Sequence, residues 1–270
     1  MAKIKPYTLE ITPEVIRLYM EEKYILAKIA EKFKVAESTI LTILRRNNIE
    51  MRGHALAHNV LKINKNAFKN HLYRSYWCGL LLADGHVERD IRRENSYNIR
   101  IALNVKDEHI LHEFKQFLEF DGDVKYTKNN TMCYLYISSE EIYYDLQDLG
   151  VTEDKTFNAK IPEILKKDSL FWRGVIDGDG SIRTQDNKIR LDLGSASKSI
   201  VDDFRDFGLD ITPNSTANVN VMYTQQNVEF YRITFGGIHA IKILEKLYEQ
   251  DGPKLNRKYD IAKEFIYAMV

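Results

Sequence analysis

The apolar positions along this chain fall into helical and strand-like stretches in a fixed order. Near the start, Val15, Ile16 and Tyr19, then Ile29, Ala30 and Phe33, then Ile40, Ile43 and Leu44 recur at helical spacing and predict three short helices. Thr12 suits an N-cap, with Pro13 at the first helical position and Glu14 in the first turn. A second helix is expected near Leu26 to Phe33, and a tight turn from Lys34 to Glu37. Ser38 or Glu37 then opens a third helix that runs to Arg45 and Arg46. Ala30, Val35 and Ile40 supply the small and apolar residues at which two helices cross closely. Residues 53–72, GHALAHNVLKINKNAFKNHL, are weakly periodic and rich in Asn and Lys, and read as a linker with a short helix.

From residue 73 the pattern repeats itself. Trp77-Cys-Gly-Leu-Leu-Leu-Ala-Asp84-Gly85 aligns with Trp172-Arg-Gly-Val-Ile-Asp-Gly-Asp179-Gly180, an offset of 95 residues. The alternating stretch and following helical segment at 98–120 parallel those at 188–210, and 133–151 parallels 230–250. Each copy therefore reads helix, hairpin, helix, hairpin, helix, an α+β architecture of sequential antiparallel strands with helices on one face. The expected division is residues 1–52, a linker 53–72, a first repeat 73–160 and a second 161–270.

Each repeat ends its first helix in Asp-Gly. An acid there faces the negative end of the helix dipole, at a cost of roughly 0.3–1 kcal/mol. Gly79 and Ala83 share one helix face, as do Gly174 and Gly178, and small residues four apart let two backbones approach closely. Packing these helices together sets their C-terminal ends side by side, with Gly85 and Gly180 expected as left-handed caps. Asp84 and Asp179 then repel each other, and a divalent cation with oxygen ligands, Mg²⁺ by its preference, relieves that repulsion.

Composition changes this picture in one respect. The formal net charge of the chain is zero, which by itself argues against a nucleic-acid binder. Residues 1–70, however, hold 13 Lys and Arg against 7 Glu and no Asp, so a basic module precedes an acidic body. Cys78 and Cys133 are too few for a disulfide framework or a cysteine metal site and read as reduced thiols of an intracellular protein. His54, His58 and His71 are too scattered for a zinc site. No apolar run reaches the roughly 18 residues of a membrane span, and MAKIKPYTLE lacks the features of a signal peptide.

The three N-terminal helices resemble a helix-turn-helix DNA-binding module. That resemblance places Glu37, Ser38, Thr39, Thr42 and Arg45 toward a major groove and Arg46, Arg52 and Lys34 toward phosphates. Lys34 departs from the pattern, since such turns often carry Gly. The two Asp-Gly motifs with their flanks resemble the signature of LAGLIDADG homing endonucleases in the two-repeat monomeric form, over roughly residues 73–266. The resemblance implies two pseudo-twofold αββαββα repeats whose sheets form a saddle over double-stranded DNA. It implies Asp84 and Asp179, with Gly85 and Gly180 beside them, as the metal set, two or three divalent ions in all. It adds one basic residue per active site. Lys155 and Lys254 hold matching positions after the last helix of each repeat, with Lys160 and Lys258 as second choices. Asp177 fits the motif, but Leu82 stands at the same place in the first repeat, so Asp177 is assigned a structural or capping role.

Side chains two apart share a strand face. After Asp179 that face is Ser181, Arg183, Gln185 and Asn187; after Asp84 it is His86, Glu88, Asp90 and Arg92. The next strands offer Asn98, Arg100 and Asn104, and Lys188, Arg190 and Asp192, while Ile99, Ile101, Leu103, Ile189, Leu191 and Leu193 face the helices. The implied activity is metal-dependent hydrolysis of both DNA strands. The same scaffold also occurs as cleavage-inactive RNA maturases or DNA-binding regulators, which stands as the alternative. The chain begins at Met1 without a splicing Cys or Ser and ends EFIYAMV, so a free-standing or intron-encoded protein is expected rather than an intein. The implied setting is a bacterial or phage-infected cytoplasm, or an organelle.

Overall fold

The computed structural model describes residues 6–51, 61–90, 96–153, 155, 159–223 and 227–268. It divides into two compact units, Met1–Lys62 and Ile63–Val270. The division falls inside the stretch expected as a linker, and from Ile63 onward the chain belongs to the second unit, where Ala67 and Phe68 are buried.

The first unit holds α1 (Pro6–Met20), α2 (Leu26–Phe33) and α3 (Glu37–Arg46). Ile11, Val15, Leu18, Ile29, Ile40 and Leu44 form its core. Pro13 lies inside α1 rather than at its start. A proline there removes one backbone hydrogen bond and crowds the preceding turn, at about 3 kcal/mol. The apolar stripe nonetheless begins at Ile11, one turn before Val15, so burial carries the helix back through the proline. Ala36, not Ser38 or Glu37, is the N-cap of α3, and it offers no side-chain bond; Glu37 in the first turn complements the dipole instead. Lys34 takes the left-handed conformation (φ 51°, ψ 45°) that a glycine would occupy in this turn.

The second unit holds two copies of one topology. In the first, α4 (Ala67–Asn70) leads to α5 (Arg74–Asp84), β1 (Gly85–Arg89), β2 (Tyr97–Asn104), α6 (Glu108–Phe117), β3 (Lys125–Tyr126), β4 (Met132–Ser138) and α7 (Glu140–Asp148). In the second, α8 (Glu163–Lys166) leads to α9 (Ser169–Gly178), β5 (Gly180–Gln185), β6 (Lys188–Ser195), α10 (Lys198–Ile211), β7 (Asn220–Tyr223), β8 (Glu229–Gly236), α11 (Ile238–Tyr248) and α12 (Asn256–Tyr267). Both sheets are antiparallel and four-stranded, ordered β1-β2-β4-β3 and β5-β6-β8-β7. Ile99, Ile101 and Leu103 in one and Ile189, Leu191 and Leu193 in the other are buried, as strand alternation expects.

The cores repeat in detail. Trp77 meets Phe114 and Phe117 at ring distances of 4.8 and 5.7 Å; Trp172 meets Phe204 and Phe207 at 5.1 and 5.9 Å. Between the halves, α5 and α9 cross backbone to backbone. A Cβ on Gly79 would lie 2.1 Å from the Phe171 carbonyl oxygen, and one on Gly174 would lie 2.1 Å from that of Tyr76. No side chain larger than hydrogen fits at either crossing. Arg257 also bridges the halves, its Nε donating to Asp107 at 3.0 Å.

Candidate functional site

The crossing of α5 and α9 brings their C-terminal ends together, and with them Asp84 and Asp179. A Cβ on Gly178, next to Asp179, would lie 3.3 Å from Asp84 Oδ2. Both carboxylates stay exposed to solvent, which a ligand-binding acid requires. The protein crowded around them opposes their ionisation. Asp179 is pushed up to about 6, first by desolvation and then by Asp84. Asp84 is raised by desolvation, held back by Lys258, Lys155 and Arg257. Gly85 and Gly180 do not form left-handed caps. Gly85 is extended (φ −77°, ψ 157°), and Gly180 is not among the glycines with positive φ. The chain turns straight from helix into strand, and glycine is required by contact: a Cβ would lie 2.5 Å from the Leu81 oxygen at Gly85 and 2.7 Å from that of Ile176 at Gly180.

Each helix end is answered by a lysine. Lys155 Nζ donates to the carbonyls of Leu81 (2.6 Å) and Leu82 (2.8 Å). Lys258 Nζ donates to those of Ile176 and Asp177, both at 2.7 Å, and to Gly180 at 2.7 Å. Leu81 and Leu82 align with Ile176 and Asp177, so the two ammonium groups cap equivalent carbonyls and offset the dipole that the aspartates oppose. Burial pushes both lysines down to about 8, against the pull of the nearby aspartates. Lys254, the sequence-based partner of Lys155, does not take this place. Its Nζ donates to Asp251 at 3.0 Å and to the Gly252 carbonyl at 3.2 Å. The second-choice Lys258 does so because it sits on the first turn of α12, aimed back at the end of α9. Lys160 is exposed.

Asp177 is buried, and its Oδ2 accepts from Tyr76 Oη and from the Leu255 backbone N–H, both at 2.9 Å. Burial raises it to about 6. Among the described residues no three His, Cys, Asp or Glu side chains group as a metal site. Asp84 and Asp179 thus offer a pair of crowded, solvent-facing carboxylates and nothing more. Such a pair suits a hard divalent ion that keeps waters and takes phosphate oxygens, as Mg²⁺ does. The Gly180 carbonyl, expected beside the metal, accepts Lys258 Nζ.

On the outer face of the second sheet, Ser181 and Arg183 are half-buried and Gln185 is exposed. Arg183 stands opposite Arg190. Asp192, on β6 between Ser181 of β5 and Thr234 of β8, is buried although it shares the polar face. Arg183 Nε donates to it at 3.0 Å, Arg232 Nη2 pairs with it at 3.0 Å, and Thr234 Oγ1 donates at 2.5 Å. Arg232 was not among the sequence candidates; the alternation of Arg232 and Thr234 with the buried Ile233 and Phe235 along β8 is the signal that finds it. Asn187 leaves the strand face. With Asp186 it forms the two-residue hairpin turn between Gln185 and Lys188, both at positive φ (56° and 50°). A groove of about 750 Å³ runs beside Lys188, Arg190, Asn218, Asn220 and Thr234.

The first sheet differs. His86 and Glu88 are exposed, with Nε2 and Oε2 3.4 Å apart. Arg100 lies over the Tyr134 ring at 5.0 Å, and Tyr136 Oη donates to Asn98. Asn104 accepts from the Lys106 N–H at 3.1 Å and so caps the short turn before α6. Arg92 and Arg52 lie outside the described residues. In the first unit, Glu37, Ser38, Thr42, Arg45 and Arg46 are exposed on α3 and Thr39 is half-buried; Thr42 Oγ1 donates to the Ser38 carbonyl at 2.7 Å.

A duplicated αββαββα unit whose first helices cross on glycine and end in paired, lysine-capped aspartates defines the class of the second unit. Residues 166–248, within its second repeat, match the model of the LAGLIDADG-like domain family. Similar solved structures include the I-LtrWI LAGLIDADG homing endonuclease bound to target DNA (14% identity, 76% of this chain and 92% of that one, TM-score 0.45). They also include I-DmoI in complex with DNA and Ca (14%, 71% and 97%, 0.49) and the LAGLIDADG homing endonuclease I-GzeII in complex with its DNA target (13%, 77% and 92%, 0.45). A search of curated proteins found no match. Among the described residues, no helix is long and apolar enough to cross a membrane.

Proposed function

We propose that this chain is a monomeric, site-specific DNA endonuclease that hydrolyses both strands of a long duplex with divalent metal, Mg²⁺ by preference. The observation that carries this reading is the twofold arrangement of Asp84 and Asp179, each at a helix end capped by Lys155 or Lys258. The LAGLIDADG-like match over 166–248 supports it. Asp84 and Asp179 hold the ions, which when bound activate water and stabilise the leaving oxygen. Lys155 and Lys258 each set a positive charge beside one scissile phosphate. Ser181, Arg183, Gln185 and Arg190 on one sheet, and Arg100 and Asn104 on the other, contact bases and phosphates. Thr39, Thr42, Arg45 and Arg46 of α3 give the helix-turn-helix unit a second DNA contact.

The test is cleavage of a duplex selected for binding from a randomised pool, with Mg²⁺ and with EDTA. A metal-dependent double-strand cut at one position establishes the reading. Tight binding that EDTA does not alter, without any cut, overturns it in favour of a regulator or maturase.

A further inference from the structure

Asp177 breaks the internal symmetry at a cost. It is 1% exposed, and burying a carboxylate is expensive even when paired. The first repeat builds the same helix end with Leu82, so the fold does not require an acid at this position. What the acid touches explains it. Its Oδ2 holds the backbone N–H of Leu255, which is the N-cap of α12, and the hydroxyl of Tyr76 on α5. Three residues beyond Leu255 is Lys258, whose Nζ reaches the carbonyls at the end of α9. The positive charge of Lys258 offsets the buried carboxylate first, and that of Arg173, one turn earlier on α9 and equally buried, adds to it.

We infer that Asp177 is a positioning residue: it pins the start of α12 to α9 and α5, and thereby fixes Lys258 at one of the two active sites and not at the other. This rests on the nuclease reading for its consequence, since each lysine serves one strand, but the pinning itself does not. Removing the carboxylate loosens one lysine and leaves Lys155 in place. The protein becomes strand-biased, a nickase in the limit.

Two readouts on the full-length protein test this. Acylation of lysines by an amine-reactive ester, followed by mass spectrometry, reads the freedom of each amine without any DNA. In Asp177→Leu, Lys258 is expected to label at least about tenfold faster while Lys155 keeps its rate. Strand-resolved cleavage of the selected duplex, each strand separately labelled, reads the consequence. One strand is expected to slow by about tenfold to a hundredfold, the same strand that Lys258→Met slows, and Asp177→Asn, which keeps an acceptor oxygen, restores it. Should Asp177→Leu not fold, Leu255→Pro removes the donor instead, at a φ of −71° that proline accepts. Unchanged labelling of Lys258, or equal slowing of both strands, overturns the inference. A wild-type protein that does not cut, with Lys258 released in the variant, overturns the nuclease reading and leaves the anchor standing.

Discussion

The two repeats share a skeleton and differ on the face they present. Gly85 pairs with Ile101 and Gly180 with Leu193, so Arg100 on the first sheet stands where Asp192 stands on the second. Opposite them are Tyr136 and Thr234. The first sheet sets an arginine over a tyrosine ring; the second gathers arginines around a buried acid. The Trp–Phe clusters, the glycine crossing and the lysine caps are duplicated almost contact for contact. What is constant serves assembly and the proposed chemistry, which both halves would perform alike. What varies is the surface on which two half-sites of an asymmetric duplex would be told apart.

The sharpest way to break the comparison is at the carboxylates. Asp84→Asn and Asp179→Asn are each expected to lower the cleavage rate about a thousandfold, measured by gel assay at saturating Mg²⁺. Full activity in both variants would defeat the mechanism. The crossing comes next. Gly79→Ala and Gly174→Ala each drive a Cβ to 2.1 Å from a carbonyl oxygen, and each should cost roughly 1–3 kcal/mol or more of stability in denaturant melts. Unequal losses would mean that one helix yields more readily than the other. Among the lysines, Lys155→Met and Lys258→Met should slow cleavage to a similar degree, about tenfold to a hundredfold, while Lys254→Met changes little.

The rate should also be bell-shaped in pH. Asp179, raised to about 6, loses its charge as pH falls through that value, and Lys155 and Lys258, lowered to about 8, lose theirs as pH rises through it. A flat profile from 5 to 9 would contradict these environments. The smallest effect lies outside the repeats. Lys34→Gly relieves a left-handed turn and should stabilise the N-terminal unit by about 0.5–1 kcal/mol, read by its own thermal transition.

Much of the second unit is legible in its sequence because its signals are local or duplicated. The helix–strand alternation, the 95-residue offset and the small residues at the crossing all follow from periodicity. Lys258 is harder to find because the repeats are not equally long. Lys155 lies 71 residues after Asp84, Lys258 lies 79 after Asp179, and matching short flanking words selects Lys254 instead. The glycines after the aspartates mislead for another reason: glycine suits a left-handed cap and a close contact equally, and only the backbone conformation separates the two. The acid at 192 looks like a surface residue of an outer face. Its burial comes from Arg183, Arg232 and Thr234 on neighbouring strands, which no single stretch reveals.

That buried acid bears on how such a protein would search. A chain of zero formal net charge has little long-range pull toward a polyanion, and Asp192 also cancels part of the charge its arginines could offer to phosphates in general. Contact with the wrong duplex would then be brief and weakly dependent on salt. A long residence would come only where bases accept the fixed guanidinium groups, so commitment would be reserved for the matching site.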